Sequence, residues 1–299
     1  LKQRKPVLTF SRGFILAVTI LVNGFVVFAL INLIMSLLGT NNADLLSVVY
    51  TVLIMAGLIG LTFTPVGESL IRFTLRLRRP THEEIEILKE PWETVLSAAG
   101  LLNEESAPEL FISDTNCLHA FAAGLKTVAI TRGLLKSATP EEIQGVLAHE
   151  VGHWVHGDTK ISLIVQVVNT IGNVATAILT AILIFISTLA SATGERQGVA
   201  FSIVVGLFAL LLKAFLSLFQ LLIRIGYFAV GRQEEFLADS FAKDIGFSNG
   251  LVSFLRKIED SEEAPVGFWN AVQSTHPPTA VRIEKLLYGD NLSKATYEK

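Results

Sequence analysis

The sequence predicts a mainly α integral membrane protein: four transmembrane helices plus a cytoplasmic α+β domain with a small sheet. Three observations carry this. Of 299 residues, 51% are hydrophobic and only 17% charged, with a mean hydropathy of +0.53; soluble domains carry about 25% charged residues. The apolar excess is gathered into four long blocks. The polar remainder, Pro80–Lys160 and Gly231–Lys299, is long enough for one domain core. A single cysteine, Cys117, excludes an internal disulfide framework. A net charge of -3 and a pI near 6.1 give no sign of nucleic-acid binding.

Gly13–Leu38 and Leu45–Phe63 are uncharged, and so is Ile161–Ala190. Val199–Val230 is interrupted only by Lys213 and Arg224. About 20 apolar residues cross a bilayer as a helix, so each block suffices. The first is too long for the apolar core of a signal peptide. Leu1 in place of an initiator Met leads us to expect a native start upstream. Lys2, Arg4, Lys5 and Arg12 precede the first block, and Arg72, Arg76, Arg78 and Arg79 follow the second. The basic flanks put the N-terminus and the chain after Arg72 on the cytoplasmic side. The domain plan is then 1–79 as a transmembrane hairpin (spans about 13–38 and 45–63). Residues 80–160 and 231–299 form a cytoplasmic domain, and 161–230 form a second hairpin inserted in it. Gly100–Pro108 and the acidic stretch Glu259–Gly267 read as loops.

The strongest chemical signal is His149-Glu150-Val151-Gly152-His153. Thr139 fits an N-cap, Pro140 the first helical position, and Glu142 completes a capping box. The motif therefore lies on a helix beginning near Pro140. Residues four apart share a helical face, so both imidazoles can bind one ion with Glu150 beside it to take a proton from water. Zinc suits two imidazoles, a carboxylate and one open position. Two candidates exist for the third ligand. His156 shares the face, but Gly157 and Asp158 suggest that the helix ends there, which leaves it a supporting or surface residue. The alternative lies in Glu234-Glu235-Phe236-Leu237-Ala238-Asp239. There Glu235 and Asp239 share a face, suiting one carboxylate on the metal and one holding a ligand imidazole.

The H-E-V-G-H helix followed by His-Gly-Asp, the E-F-L-A-D segment, and Ser274-Thr275-His276-Pro277-Pro278 with Arg282 together resemble the HtpX-type membrane zinc metallopeptidases, relatives of the CaaX prenyl-protein peptidases. The resemblance covers roughly Phe111–Leu287. It implies a zincin-like, gluzincin-like catalytic domain holding one Zn2+ per chain on His149, His153 and Glu235. It implies Glu150 as general base, Asp239 supporting a histidine, and His276 facing the site with Arg282 nearby. His276 or Arg282 would then donate to the oxyanion. Ala120-Phe121-Ala122 resembles the edge strand that pairs with substrate, with His119 standing where the family usually has Asn. Thr127–Thr131 reads as the next strand, with Gly124 at or near the turn. The implied work is cleavage of misfolded or damaged membrane proteins at the cytoplasmic face, in a bacterial inner membrane. Processing of a prenylated peptide is the enzymatic alternative, against which four spans rather than seven count. A zinc-dependent membrane scaffold or sensor is the other, against which an intact Glu150 counts. Nothing in the sequence sets an oligomeric state.

In the third block Ser162, Gln166, Asn169, Asn173, Thr176 and Thr180 form a polar stripe, matched by Lys213, Ser217, Gln220 and Arg224 in the fourth. Ionisable groups inside a membrane face a bundle or a watery cavity. Either the stripes pack on each other, or they line a hydrated cavity leading to the zinc.

Overall fold

The computed structural model describes residues 10–40, 43–261 and 277–289. Its chain forms two compact units. Among the described residues, one is built from 10–61 and Ile164–Tyr227, the other from Thr62–Leu163 and 228–289.

The apolar unit takes its helices from α1 (Phe10–Leu37), α2 (Ala43–Thr62), and most of α7 (Asp158–Ala192) and α8 (Arg196–Asp244). All four contain a stretch long and apolar enough to cross a membrane: Arg12–Leu37, Asp44–Thr62, Asp158–Ala192 and Arg196–Ile223. The expected four-span architecture is borne out. Val26, Val27 and Leu30 of α1, Met55 of α2, Val168, Ala175 and Leu179 of α7 and Leu216 of α8 make the unit's buried cluster. Polar glue supplements packing, as expected where lipid removes the hydrophobic drive between helices. The buried Asn23 side-chain amide donates to Thr19 O at 2.9 Å and to Asn169 Oδ1 at 3.1 Å.

The second unit is α+β. Its helices are α3 (Pro65–Thr74), α4 (His82–Ala99), α5 (Arg132–Ser137), α6 (Pro140–His156), α9 (Ser248–Ser261), α10 (Thr279–Tyr288) and the C-terminal turns of α8. Its strands are β1 (Leu77–Arg78), β2 (Glu109–Ser113), β3 (Ala120–Ala123) and β4 (Thr127–Thr131), in the order β1-β2-β4-β3. β2 and β4 run parallel, and the outer pairs are antiparallel. Every residue of β4 is buried, as a strand covered on both faces requires. Leu88, Val95, Ile112, Val128, Ile130, Leu147 and Leu251 sit in the core beneath. Thr62–Arg79, which the sequence reading grouped with the first hairpin, belongs to this unit: β1 pairs with β2. The capping box of Thr139 and Glu142 is formed, with Pro140 in the first turn of α6. α9 continues to Ser261, so the acidic stretch expected to be a loop begins as helix. Residues 262–267 lie outside the described residues.

Candidate metal centre

α6 carries the H-E-x-x-H motif and α8 carries Glu235 and Asp239. What lets them meet is the glycine within the motif. A Cβ on Gly152 would stand 3.0 Å from Ala238 Cα and 3.2 Å from Ala238 O, so the two helix backbones approach closely where the larger side chains of most residues would hold them apart. α8 runs without interruption from Arg196 through Glu235 to Asp244.

His149, His153 and Glu235 converge, each offering a ligand atom within 4.8 Å of the others. The two Nε2 atoms are 3.2 Å apart. Glu235 Oε2 is 3.4 Å from His149 Nε2, and its Oε1 is 3.4 Å from His153 Nε2. Ligand atoms at zinc-like bond lengths of about 2.0–2.2 Å and tetrahedral angles lie about 3.3–3.6 Å apart. The donor set and its spacing therefore fit a metal ion. His149 and Glu235 are buried, and His153 is partly so.

Each imidazole is held from behind. His149 Nδ1 is 2.9 Å from Asp239 Oδ1, and His153 Nδ1 is 2.9 Å from Asp158 Oδ2. An ionised carboxylate only accepts, so each Nδ1–H donates and each Nε2 turns toward the shared point. Carboxylates behind ligand histidines fix ring orientation and raise basicity. Burial alone would lower the His153 pKa, but its bonds to Asp158 and Glu235 outweigh this and hold it well above the usual histidine range. His149 is raised in the same way by Asp239 and Glu235 against burial and the nearby Arg282 charge. Arg282, on α10, is buried and grips Asp239 with two bonds, Nε to Oδ2 at 2.9 Å and Nη2 to Oδ1 at 2.7 Å. Its Nη1 lies 3.2 Å from Glu235 Oε2. Burial would raise the Asp239 carboxyl, yet Arg282 and His149 hold it at about 2. Arg282 thus faces carboxylates. His276 lies outside the described residues.

Glu150 is buried beside the histidines, and its Oε2 accepts from the backbone N–H of Ala122 at 2.9 Å. β3 is the edge of the sheet. His119 O accepts from Thr131 N, so alternate residues of β3 bond to β4 and the main chain at Ala120 and Ala122 faces outward. Gly124 takes a positive φ of 59° in the turn to β4. That turn is held by Glu68 of α3, whose carboxylate accepts from Leu125 N, Lys126 N and Thr127 Oγ1 at 2.8, 3.1 and 2.6 Å. Trp154 Nε1 donates to Leu125 O. His119 stacks on Phe121, with ring centroids 5.7 Å apart.

Sequence reasoning did not single out Asp158 or Glu68. Asp158 enters the sequence reading as a helix end and as part of a motif, with no role of its own. Gly157, at φ 77°, caps α6 and lets the chain turn so that the first residue of α7 reaches back to His153. Its local signal was the His-Gly-Asp run. Glu68 carried no signal, because its partners lie 57 to 59 residues away. His156, expected to be a supporting or surface residue, is buried against Phe241 and lies outside the His-His-Glu group.

Residues 84–289 match the model of peptidase family M48. A protease HtpX homolog of Tropheryma whipplei (strain Twist) is 33% identical over 203 residues, covering 60% of this chain and 65% of its own. A protease HtpX homolog of Methanocaldococcus jannaschii is 28% identical over 245 residues, covering 74% of this chain and 81% of its own. The chain thus spans just under two thirds of the Tropheryma relative. The crystal structure of S. mikatae Ste24p is similar in fold, with a TM-score of 0.53 at 19% identity over 91% of this chain and 64% of that one. With the family model covering more than half of the sequence, the chain belongs to peptidase family M48.

Proposed function

We propose that this protein is a membrane-embedded zinc endopeptidase that cleaves misfolded or damaged membrane proteins at the cytoplasmic face of a bacterial inner membrane. The observation that carries the reading is the hydrogen bond from the edge-strand N–H of Ala122 to Glu150. It supports a reading in which Glu150, the proposed base, works beside a strand whose outward main chain at Ala120 can pair with an extended substrate. The basic residues flanking the first two spans favour the cytoplasmic side.

His149, His153 and Glu235 would hold the zinc, with Asp239 and Asp158 orienting the two imidazoles. When bound, zinc supplies a Lewis acid that polarises the scissile carbonyl and brings the pKa of a water toward about 7. β3 aligns the substrate backbone. Glu150 takes the proton from the attacking water and returns it to the leaving amine. Arg282 acts as a positioning residue: it fixes Asp239, and through it His149. His276 remains the candidate donor to the developing oxyanion.

The test is cleavage of casein, an unfolded model substrate, by the purified chain in detergent, with zinc content measured. Wild type should cleave. Glu150→Gln should retain one zinc and lose activity by about 10²-fold or more, and chelation should abolish it. Full activity in Glu150→Gln would refute the mechanism.

A further inference from the structure

The apolar unit contains a cavity of about 370 Å³ between α7 and α8. Asn173, Thr176 and Thr180 line one side, and Lys213, Ser217 and Gln220 line the other. The polar stripes therefore do not simply pack on each other. Asn169 turns to α1, while the next turns of α7 and the facing turns of α8 leave a polar space. Lys213 is exposed there and forms no hydrogen bond or ion pair among the described residues.

The depth of Lys213 decides what could pair with it. It precedes Arg224, the next charged residue of the block, by eleven residues, about 16 Å of helix. That is half of a hydrocarbon core of about 30 Å, well beyond what a four-carbon stem covers. Lipid phosphates are out of reach. The chain itself holds no Asp or Glu within Gly13–Leu38, Leu45–Phe63, Ile161–Ala190 or Val199–Val230. A second copy would bring only another Lys213 to this depth. A carboxylate to complement it is therefore one that a membrane-spanning segment of another protein would bring. Ala177 and Ala181, one turn apart, also line the cavity, and such small residues let a further helix approach closely.

We infer that this groove docks a transmembrane helix of a client protein that bears an acidic side chain near its middle, the carboxylate pairing with Lys213 and accepting from the amides of Asn173 and Gln220 and the hydroxyl of Ser217. An intramembrane carboxylate left without its own partner marks an unassembled membrane protein. This specifies the substrate class of the proposed peptidase and in that respect rests on it.

The test uses the full chain in lipid nanodiscs with Cys117→Ser, Glu150→Gln and Ile184→Cys, the last carrying a benzophenone. The probes are Leu/Ala transmembrane peptides with Asp, Leu or Lys at the centre. Labelling of the Asp peptide should exceed that of the Leu peptide at least tenfold. Lys213→Leu should abolish the preference, and Lys213→Asp should transfer it to the Lys peptide, while casein cleavage in the Glu150 background is unchanged by either. Equal labelling of the Asp and Leu peptides would overturn the inference. So would labelling indifferent to both Lys213 variants, or adducts only with lipid or a second copy. If wild type fails to cleave casein while Lys213-dependent labelling persists, the peptidase reading falls and the docking site stands.

Discussion

The N–H of Ala122 and the Oε2 of Glu150 are 2.9 Å apart. This one bond joins the strand at the sheet edge to the carboxylate inside the H-E-x-x-H motif, and Glu68, Asp158 and Asp239 hold that strand's turn or the candidate metal ligands.

Asp158 should matter to metal binding although it cannot itself reach the ion while bonded to His153. Asp158→Ala should weaken zinc affinity by about 10–100-fold, the usual cost of losing such a partner. Competition with a fluorescent chelator measures this. An unchanged Kd would mean that Gly157 and the α6 terminus already fix the ring.

Glu68 should act through the β3–β4 turn. Glu68→Ala leaves two backbone N–H groups without their acceptor, and each buried one costs about 1–3 kcal/mol. We expect a lower Tm, faster hydrogen exchange at Leu125 and Lys126, and a KM for casein that rises more than kcat falls. Unchanged exchange at these two amides would contradict the assignment.

Zinc binding should be linked to pH. The metal-free His149 and His153 have pKa values raised above the ordinary range, so a proton competes with the ion at each Nε2. Affinity should fall as pH drops below those values, by about tenfold per unit for each proton displaced. Titration at pH 6 and 8, with an indicator dye to count released protons, would show it. A flat affinity would place the protons elsewhere.

The Arg78–Glu84 pair should contribute to acid sensitivity. Glu84 is held at about 2, chiefly by its bonds to Arg78. Its folded value lies below the unfolded value of about 4.3. Its contribution is therefore complete above that value and is lost as pH falls toward about 2. Glu84→Gln should lower the Tm at pH 7, and the difference from wild type should shrink as the pH falls through that window.

Gly250→Ala tests the contact between α6 and α9. Its Cβ would lie within 2.0 Å of Glu141 O, at 1.9 Å, so one helix must shift. Overpacking of this kind costs about 1–3 kcal/mol, readable as a lower urea midpoint for the second unit.

The sequence by itself determined the features whose signal is local. Four apolar runs set the spans. The capping box at Thr139 and Glu142 set the start of α6, and the four-residue spacing put His149 and His153 on one face. That α8 runs unbroken past residue 230, where the second hairpin was expected to end, to carry Glu235 and Asp239 came from the structure. Tertiary structure decided what depends on contacts between distant segments. Nothing near Glu68 announces that it holds a turn 57 residues on. The polar stripe of α7 was legible as a stripe, but only packing directed Asn169 toward Asn23 of α1 and left Lys213 facing a cavity. The physical reason is that periodicity and capping act within a turn or two of backbone. A hydrogen bond across the fold exists only once burial has removed water from both partners and left each the other's best remaining choice.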